Sequence, residues 1–192
     1  MKLYILRHEE RFNRISCNSE LTIKGCQNAL KLFKKFSNKN IDRIITSSFL
    51  RCMETASPIA KSKNLLLNVE YGFSEYLLES YFDKTCSLFP DKDLIKDKNI
   101  QNFNHEYIPF MNENQFRKCI PEDTENMAKR VQDTLKHIIN NYSNENILIC
   151  SHFGPITAML NYFNPNIPID DNLDFHFPMG HFKMIDVSPS SI

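Results

Sequence analysis

Two histidines stand where apolar runs end. Residues 2–6 close on Arg7-His8-Glu9-Glu10-Arg11, and residues 146–150 close on Ser151-His152-Phe153-Gly154-Pro155. Short apolar runs of this kind read as strands, and in open α/β sheets ligands bind beyond the carboxyl ends of the strands. Both imidazoles are therefore expected in one crevice, with Arg7 beside the first. Imidazole is a nitrogen base that is largely neutral near physiological pH, and guanidinium is a permanently charged planar fork that matches phosphoryl oxygens. The two strand ends point to phosphoryl transfer through a histidine.

The elements that must position these residues follow from periodicity and punctuation. Thr22 is placed to N-cap a helix running to about Phe36, with Ala29, Leu30, Phe33 and Phe36 at helical spacing. Residues 43–46 form a second short strand. Ser48 precedes a helix to about Lys61 with Leu50, Met53, Ala56 and Ile59 as its stripe, and Pro58 is expected to kink or shorten it. Residues 65–69 read as a third strand, and residues 122–141 as a helix with Met127, Val131, Leu135 and Ile138 on one face. Residues 147–150 are too continuously apolar for an exposed strand and belong in the middle of a sheet. Pro155 suits the first turn of a helix leading through 156–162, and residues 182–187 supply a final edge strand. Strands alternating with helices predict an α/β fold: a single three-layer domain over 1–192, its mostly parallel sheet covered on both faces. Residues 80–120, with Pro90, Pro109, a charge alternation over 92–98 read as solvated loop, and scattered aromatics, form a lid-like insertion.

Composition narrows the partners. A chain of 192 residues suits one core. Lysine plus arginine total 23, as do aspartate plus glutamate, so no overall field draws the chain to nucleic acid or to an anionic membrane. No apolar stretch has the length of a signal core or a membrane span, which predicts a soluble, cytoplasmic protein. Cys17, Cys26, Cys52, Cys86, Cys119 and Cys150 lack any C-x-x-C pair, so reduced thiols are expected, with no metal site and no cofactor. His105, His137, His176 and His181 have no ligand-like spacing and read as surface or structural residues.

Three further patterns occur in order between and around the histidines: Leu21-Thr22-Ile23-Lys24-Gly25, then Ser47-Ser48-Phe49-Leu50-Arg51-Cys52-Met53-Glu54-Thr55-Ala56, then Ser151-His152-Phe153-Gly154. With Arg7-His8 they resemble the signatures of the histidine phosphatase, or phosphoglycerate mutase-like, superfamily. That resemblance implies that His8 is the nucleophile and that Arg7, Arg51 and His152 bind the phosphoryl oxygens. It implies a leaving-group acid just beyond the third strand, where Glu75 stands at the matching place and Glu70 and Glu79 are local competitors. The implied activity is metal-independent hydrolysis of a phosphomonoester, a phosphorylated small molecule or phosphoprotein, through a covalent phosphohistidine. Arg7 and Arg51 would disfavour the protonated form of His8, whereas a phosphate dianion would favour protonated His152. The helix start at Pro155 would add backbone N–H groups.

Finer matches point to a branch. Arg7-His8-Glu9-Glu10-Arg11 resembles the Arg-His-Gly-Glu-Arg turn of Sts-type and ecdysteroid-phosphate phosphatases, which adds Arg11 to the phosphate pocket, and Tyr107-Ile108-Pro109 and the stretch 125–130 are also similar to that branch. Departures accompany the matches. The basic stretch that follows the acid in phosphoglycerate mutases is replaced by Tyr76-Leu77-Leu78-Glu79. The family's asparagine seven residues after the first arginine is Arg14 here, with Asn13 one position short. Glu9 occupies the place of glycine, where its charge is expected to weaken dianion binding and slow catalysis unless it faces solvent or pairs with Arg11 or Arg14. The alternatives are a phosphoglycerate mutase and a catalytically impaired phosphate-binding or interaction module.

Overall fold

Five strands form one sheet in the computed structural model, which describes residues 1–13, 16–77, 87–169 and 177–187. β1 (Lys2–Arg7), β2 (Arg43–Thr46), β3 (Leu67–Val69) and β4 (Ile147–Ser151) run parallel in the order β3-β2-β4-β1. β5 (Phe182–Asp186) closes the β1 edge antiparallel. The register pairs Arg7 with Ser151, so His8 and His152 leave neighbouring strands at one level. Side chains alternate between the faces of a strand, and β1 divides accordingly. Leu3 and Ile5 join Ile147, Ile149, Val131 and Leu135 beneath α5 (Thr124–Asn141) and α6 (Phe153–Phe163). Tyr4 and Leu6 join Ile44, Leu148, Leu32 and Met53 beneath α1 (Ile23–Phe36) and α2 (Leu50–Lys63). The layers are those of the predicted α/β domain, with the sheet covered on both faces.

Several boundaries differ from the periodicity reading, each for a local reason. The third strand begins at Leu67 rather than at residue 65. Asn64 ends α2 in the left-handed region at φ 54°, and the N–H of Leu65 still donates to Ala60 at 2.9 Å, so the first two leucines leave the helix before pairing starts. Pro58 does not shorten α2, which continues to Lys63. Leu50 through Ser57 are all buried, so packing on every side outweighs the bond lost at proline. On α1 the buried stripe is Gly25, Ala29, Leu32 and Phe36, whereas Leu30 is 58% exposed. The third helix of the sequence reading starts at Thr124 behind an Asp123 cap, leaving Glu122 outside it.

The stretch expected as a lid-like loop carries two short helices. α3 (Lys92–Asp97) is capped by Asp91, and its Leu94 and Ile95 pack on the core, so the charge alternation over 92–98 belongs to a helix rather than to solvated loop. α4 (Glu113–Cys119) has a reciprocal capping box between Asn112 and Gln115. Residues 78–86 of that stretch lie outside the described residues.

The Leu21 to Gly25 pattern has a plain physical content. The Thr22 side chain accepts from Gly25 N at 3.0 Å while Thr22 N donates to Glu10 O at 2.9 Å, which seats the first turn of α1 on the segment that follows His8. A β-carbon at position 25 would overlap the Glu10 carbonyl oxygen, a backbone atom that cannot swing aside. Gly25→Ala is therefore expected to destabilise the fold by about 1–3 kcal/mol, as overpacking does, although alanine is the better helix former. Urea midpoints test this, and an unchanged or raised midpoint would contradict the close approach.

Candidate active site

His8 is 3% exposed at the end of β1. Its N–H donates to Ser151 O at 3.0 Å, and its Nδ1 lies 2.8 Å from Glu9 O. A carbonyl oxygen only accepts, so Nδ1 carries the proton and Nε2 keeps the lone pair. Burial, then the positive charges of Arg51, Arg7 and Arg11, hold His8 well below the usual histidine range, against the opposing pull of the Glu9 carbonyl. The expectation that arginines keep this imidazole neutral holds, with desolvation as the larger cause.

His152 is fully buried and meets His8 edge to face, with ring centroids 5.2 Å apart. Its Nε2 lies 2.7 Å from Ser47 Oγ and 3.5 Å from Cys52 Sγ, and its Nδ1 lies 3.8 Å from Glu75 Oε2. Burial and the neighbouring Arg51, His8, Arg7 and Arg11 push its pKa well down too. With these neighbours the neutral ring is the favoured form.

Arg51 projects from the first turn of α2. Its Nη1 donates to Ser16 O at 3.1 Å, its Nη2 lies 3.9 Å from Glu75 Oε2, and its buried Nε has no hydrogen-bond partner among the described residues. One turn on, Thr55 Oγ1 accepts from Glu9 N at 3.0 Å and donates to Arg51 O at 2.7 Å. The spacing of Arg51 and Thr55 thus puts a cation and a backbone tether on one helix face, both directed at the His8 turn. Arg7 Nη1 donates to Phe177 O at 2.7 Å, and its guanidinium lies 5.0 Å from the Phe153 ring centre. Arg11 is tied into a bridge with Leu21 and donates to Phe12 O at 2.9 Å, and its charge acts on both histidines. Glu75 follows the 3-10 turn Tyr71–Phe73, with Oε1 accepting from Tyr76 N at 3.1 Å and Oε2 turned to Arg51 and His152. The start of α6 has no side-chain cap, so the positive end of its dipole lies at the same strand ends. Of the six sequence-selected residues, His8, His152, Glu75 and Arg51 form one chain of contacts, and the charges of Arg7 and Arg11 act on both histidines.

Glu70 drops out as an acid. Fully buried, it accepts from Gly72 N, Phe110 N, Met111 N and the Tyr107 hydroxyl at 2.8–3.1 Å, which makes it an anchor for the 104–112 segment. The Tyr107-Ile108-Pro109 motif therefore serves that anchor. Glu79, Arg14, Cys86 and His176 lie outside the described residues. His137 stacks on Phe110, 4.5 Å between ring centres, away from the crevice. Among the described residues no group of His, Cys, Asp and Glu has metal-ligand geometry. Sequence reasoning missed Ser47, which directly follows β2 and so stands at the same sheet edge as the histidines, a position that was a readable signal. Cys52 and the Phe177 carbonyl had no comparable signal.

Glu9 departs from its expected surroundings. It neither faces solvent nor pairs with Arg11: the side chain is 6% exposed, with Oε2 3.4 Å from Asn28 Nδ2 on α1, and it packs against Gly180 so closely that a β-carbon there would overlap the carboxylate. Gly180 has φ 71° and donates its N–H to Arg7 O at 3.1 Å and His8 O at 3.2 Å. The carboxylate is held between α1 and this turn.

The sequence matches the histidine phosphatase superfamily (branch 1) over residues 3–191. The chain belongs to that superfamily. Its fold is similar to that of ecdysone phosphate phosphatase from Bombix mori, solved with tungstate, at TM-score 0.73 and 15% identity, covering 98% of this chain and 92% of that one. It is similar also to the α-ribazole phosphatase of Shigella flexneri, at TM-score 0.69 and 19% identity over 99% and 92% of the two chains. A mycobacterial glucosyl-3-phosphoglycerate phosphatase, solved with VO3, aligns at TM-score 0.67 and 14% identity over 99% and 93%. No curated protein sequence matches the chain. In this member of the superfamily the Arg-His turn therefore carries a glutamate, which packs between Asn28 and Gly180.

Burial raises the pKa of Glu9 above its ordinary value. Between the two values the folded protein holds a proton that the unfolded chain has lost. The stabilising contribution is complete below the ordinary glutamate pKa and is lost as pH rises through the raised one. Wild type should therefore lose stability relative to Glu9→Gln as pH climbs from acidic to neutral. Thermal melts in a pH series read the difference, and a constant offset would show that Glu9 keeps one protonation state.

Proposed function

We propose that the protein hydrolyses phosphomonoesters in two steps through a phosphohistidine on Nε2 of His8. The observation that carries this reading is the His8 tautomer: Nδ1–H is spent on Glu9 O at 2.8 Å, leaving a neutral Nε2 lone pair in a crevice walled by Arg7, Arg51 and His152, with the Glu75 carboxylate 3.8 Å from His152. In the first step that lone pair forms a bond to phosphorus, the ester P–O bond breaks, and Glu75 as the carboxylic acid gives its proton to the departing oxygen. In the second, the Glu75 carboxylate takes a proton from water as the water oxygen bonds to phosphorus. The P–N bond breaks, its electron pair returns to Nε2, and phosphate leaves. Charge on the transferring group is spread over its equatorial oxygens, which the guanidinium forks of Arg7 and Arg51, with Arg11 at the rim, are suited to neutralise. With those cations present, no step calls for a metal.

Family membership supports a phosphatase or mutase-like activity, and the named relatives act on phosphorylated small molecules, which is the substrate class we favour. Two of them were solved with tungstate or VO3, oxyanions that resemble a phosphoryl group. Hydrolysis is favoured over mutase activity because Tyr76-Leu77 replaces the basic stretch that would grip a second anionic group.

His8→Ala should lower kcat/KM on an aryl phosphate more than about a hundredfold, about 2.7 kcal/mol of transition-state stabilisation. It should also remove the phosphohistidine trapped by alkaline quench. A folded variant that keeps more activity than this would overturn covalent catalysis at His8. Activity should survive EDTA and fall with vanadate, and loss on chelation restored by a divalent ion would overturn the arginine-only reading.

The acid limb of kcat/KM should lie below the usual histidine range, because protonation of His8, held well down by burial and Arg51, is what silences the nucleophile. Arg51→Met should move that limb upward while reducing activity. A limb that stays at the ordinary histidine value in both proteins would show that His8 does not control it.

A further inference from the structure

The turn that carries Glu75 presents three successive backbone carbonyls, and each is held from behind the crevice. Ser151 Oγ donates to Phe73 O at 2.7 Å. Arg130 Nη1 donates to the carbonyls on either side, Gly72 at 2.8 Å and Ser74 at 3.2 Å. The Arg130 side chain, on α5, is 2% exposed and forms a two-pronged pair with the fully buried Glu122, with Nε 2.9 Å from Oε2 and Nη2 on Oε1. Its guanidinium lies 4.8 Å from the Phe116 ring centre. Glu122 N donates in turn to Leu77 O at 3.3 Å, so the pair grips the chain on both sides of Glu75. Close docking of α5 on this turn also relies on Gly72, where a β-carbon would overlap the Thr134 hydroxyl.

A buried ion pair is a poor way to add stability, since desolvation offsets most of the attraction and apolar residues of similar volume often serve as well. What a guanidinium fork adds is direction: it fixes the places of the oxygens it binds. We propose that Arg130, held by Glu122, is the positioning residue for the acid of this enzyme. By pinning Gly72 O and Ser74 O it sets the path of the chain into Glu75, and so keeps Glu75 Oε2 at 3.8 Å from His152 and 3.9 Å from Arg51. This rests on the reading of Glu75 as proton donor in the proposed hydrolysis. The hydrogen bonds of Arg130 go to the turn and to Glu122, not to His8 or the phosphate-facing arginines, so its loss should impair proton delivery and spare the attack.

Leaving-group dependence separates these two effects. Nitrophenolate departs from phosphorus with little help from an acid, whereas phenolate needs a proton. Two variants test the point: Arg130→Lys, which keeps a cation for Glu122 but loses the fork, and the double variant Glu122→Leu with Arg130→Met, which leaves no buried charge unpaired and is built to fold. Both are checked by circular dichroism and assayed beside Glu75→Gln. In folded Arg130 variants kcat/KM for phenyl phosphate should fall at least about tenfold further than for nitrophenyl phosphate, the order of a misplaced acid, and Glu75→Gln should share the bias. Equal losses on both esters, or no loss on either, with the bias present in Glu75→Gln, would overturn the positioning role alone. A Glu75→Gln variant without the bias would instead overturn the acid assignment, and with it this inference.

Discussion

The parallel register of β1 on β4 is the constraint on which the rest of this enzyme depends. Five main-chain pairs, from Leu3 with Ile147 to Arg7 with Ser151, bring the two strand ends level, and the His8 N–H continues the ladder onto Ser151 O at 3.0 Å. A slip of one residue would exchange the faces of the strand, sending Leu3 and Ile5 to the α1 and α2 side and separating the two imidazoles. The burial that fixes the register and the chemistry that needs it are therefore one requirement. Leu3, Ile5 and Leu6 are fully buried, and the first polar residues after them are the ones that meet at the crevice.

What the register assembles is a local concentration of positive charge in a chain of zero net charge. Arg7, Arg11 and Arg51 act on both histidines, and burial adds to the cost of charging either ring. Burial also lowers the pKa of Arg51, partly offset by Glu75. Arg51 is the buried cation of the three, and in the proposed hydrolysis the cost of its desolvation would be relieved when a dianion enters. In that reaction the arginines that would meet the anion would also keep His8 unprotonated before it arrives. On the proposed mechanism binding and activation are two results of one field, and Glu75, partly exposed beside Arg51, is the group placed to exchange protons with water and substrate.

Much of this was readable from residue order, for identifiable reasons. Strand ends were legible because apolar runs stop abruptly at Arg7 and Ser151, and the buried face of α5 and the sheet core followed from periodicity. The stripe on α1 was misread at Leu30 because Leu30 and Leu32 are equally apolar, and only docking of Gly25 on Glu10 decides which one turns inward. The two helices in the middle segment were hidden because they are short and held by caps rather than by periodicity, Asp91 in one case and Asn112 with Gln115 in the other. Glu122 and Arg130 could not be paired from sequence alone, since the role of that pair depends on carbonyls at Gly72 and Ser74 that come from a distant part of the chain.

Glu9 shows how a departure from a family pattern can be absorbed away from the place where it occurs. Glycine in the Arg-His turn leaves room on the side facing α1 and the segment before β5. Here that room is taken by a glutamate side chain, and the residue across from it, Gly180, has no side chain to collide with. Gly180 also stands at φ 71°, a conformation that glycine adopts without strain, and its N–H reaches the carbonyls of both Arg7 and His8. Volume added at position 9 is matched by volume withheld at position 180, and the backbone that holds His8 is braced at the same turn. The carboxylate then lies beside Asn28. Its cost is desolvation within the fold, which raises its pKa, so a residue that departs from the family pattern in one dimension is packed into the fold in three.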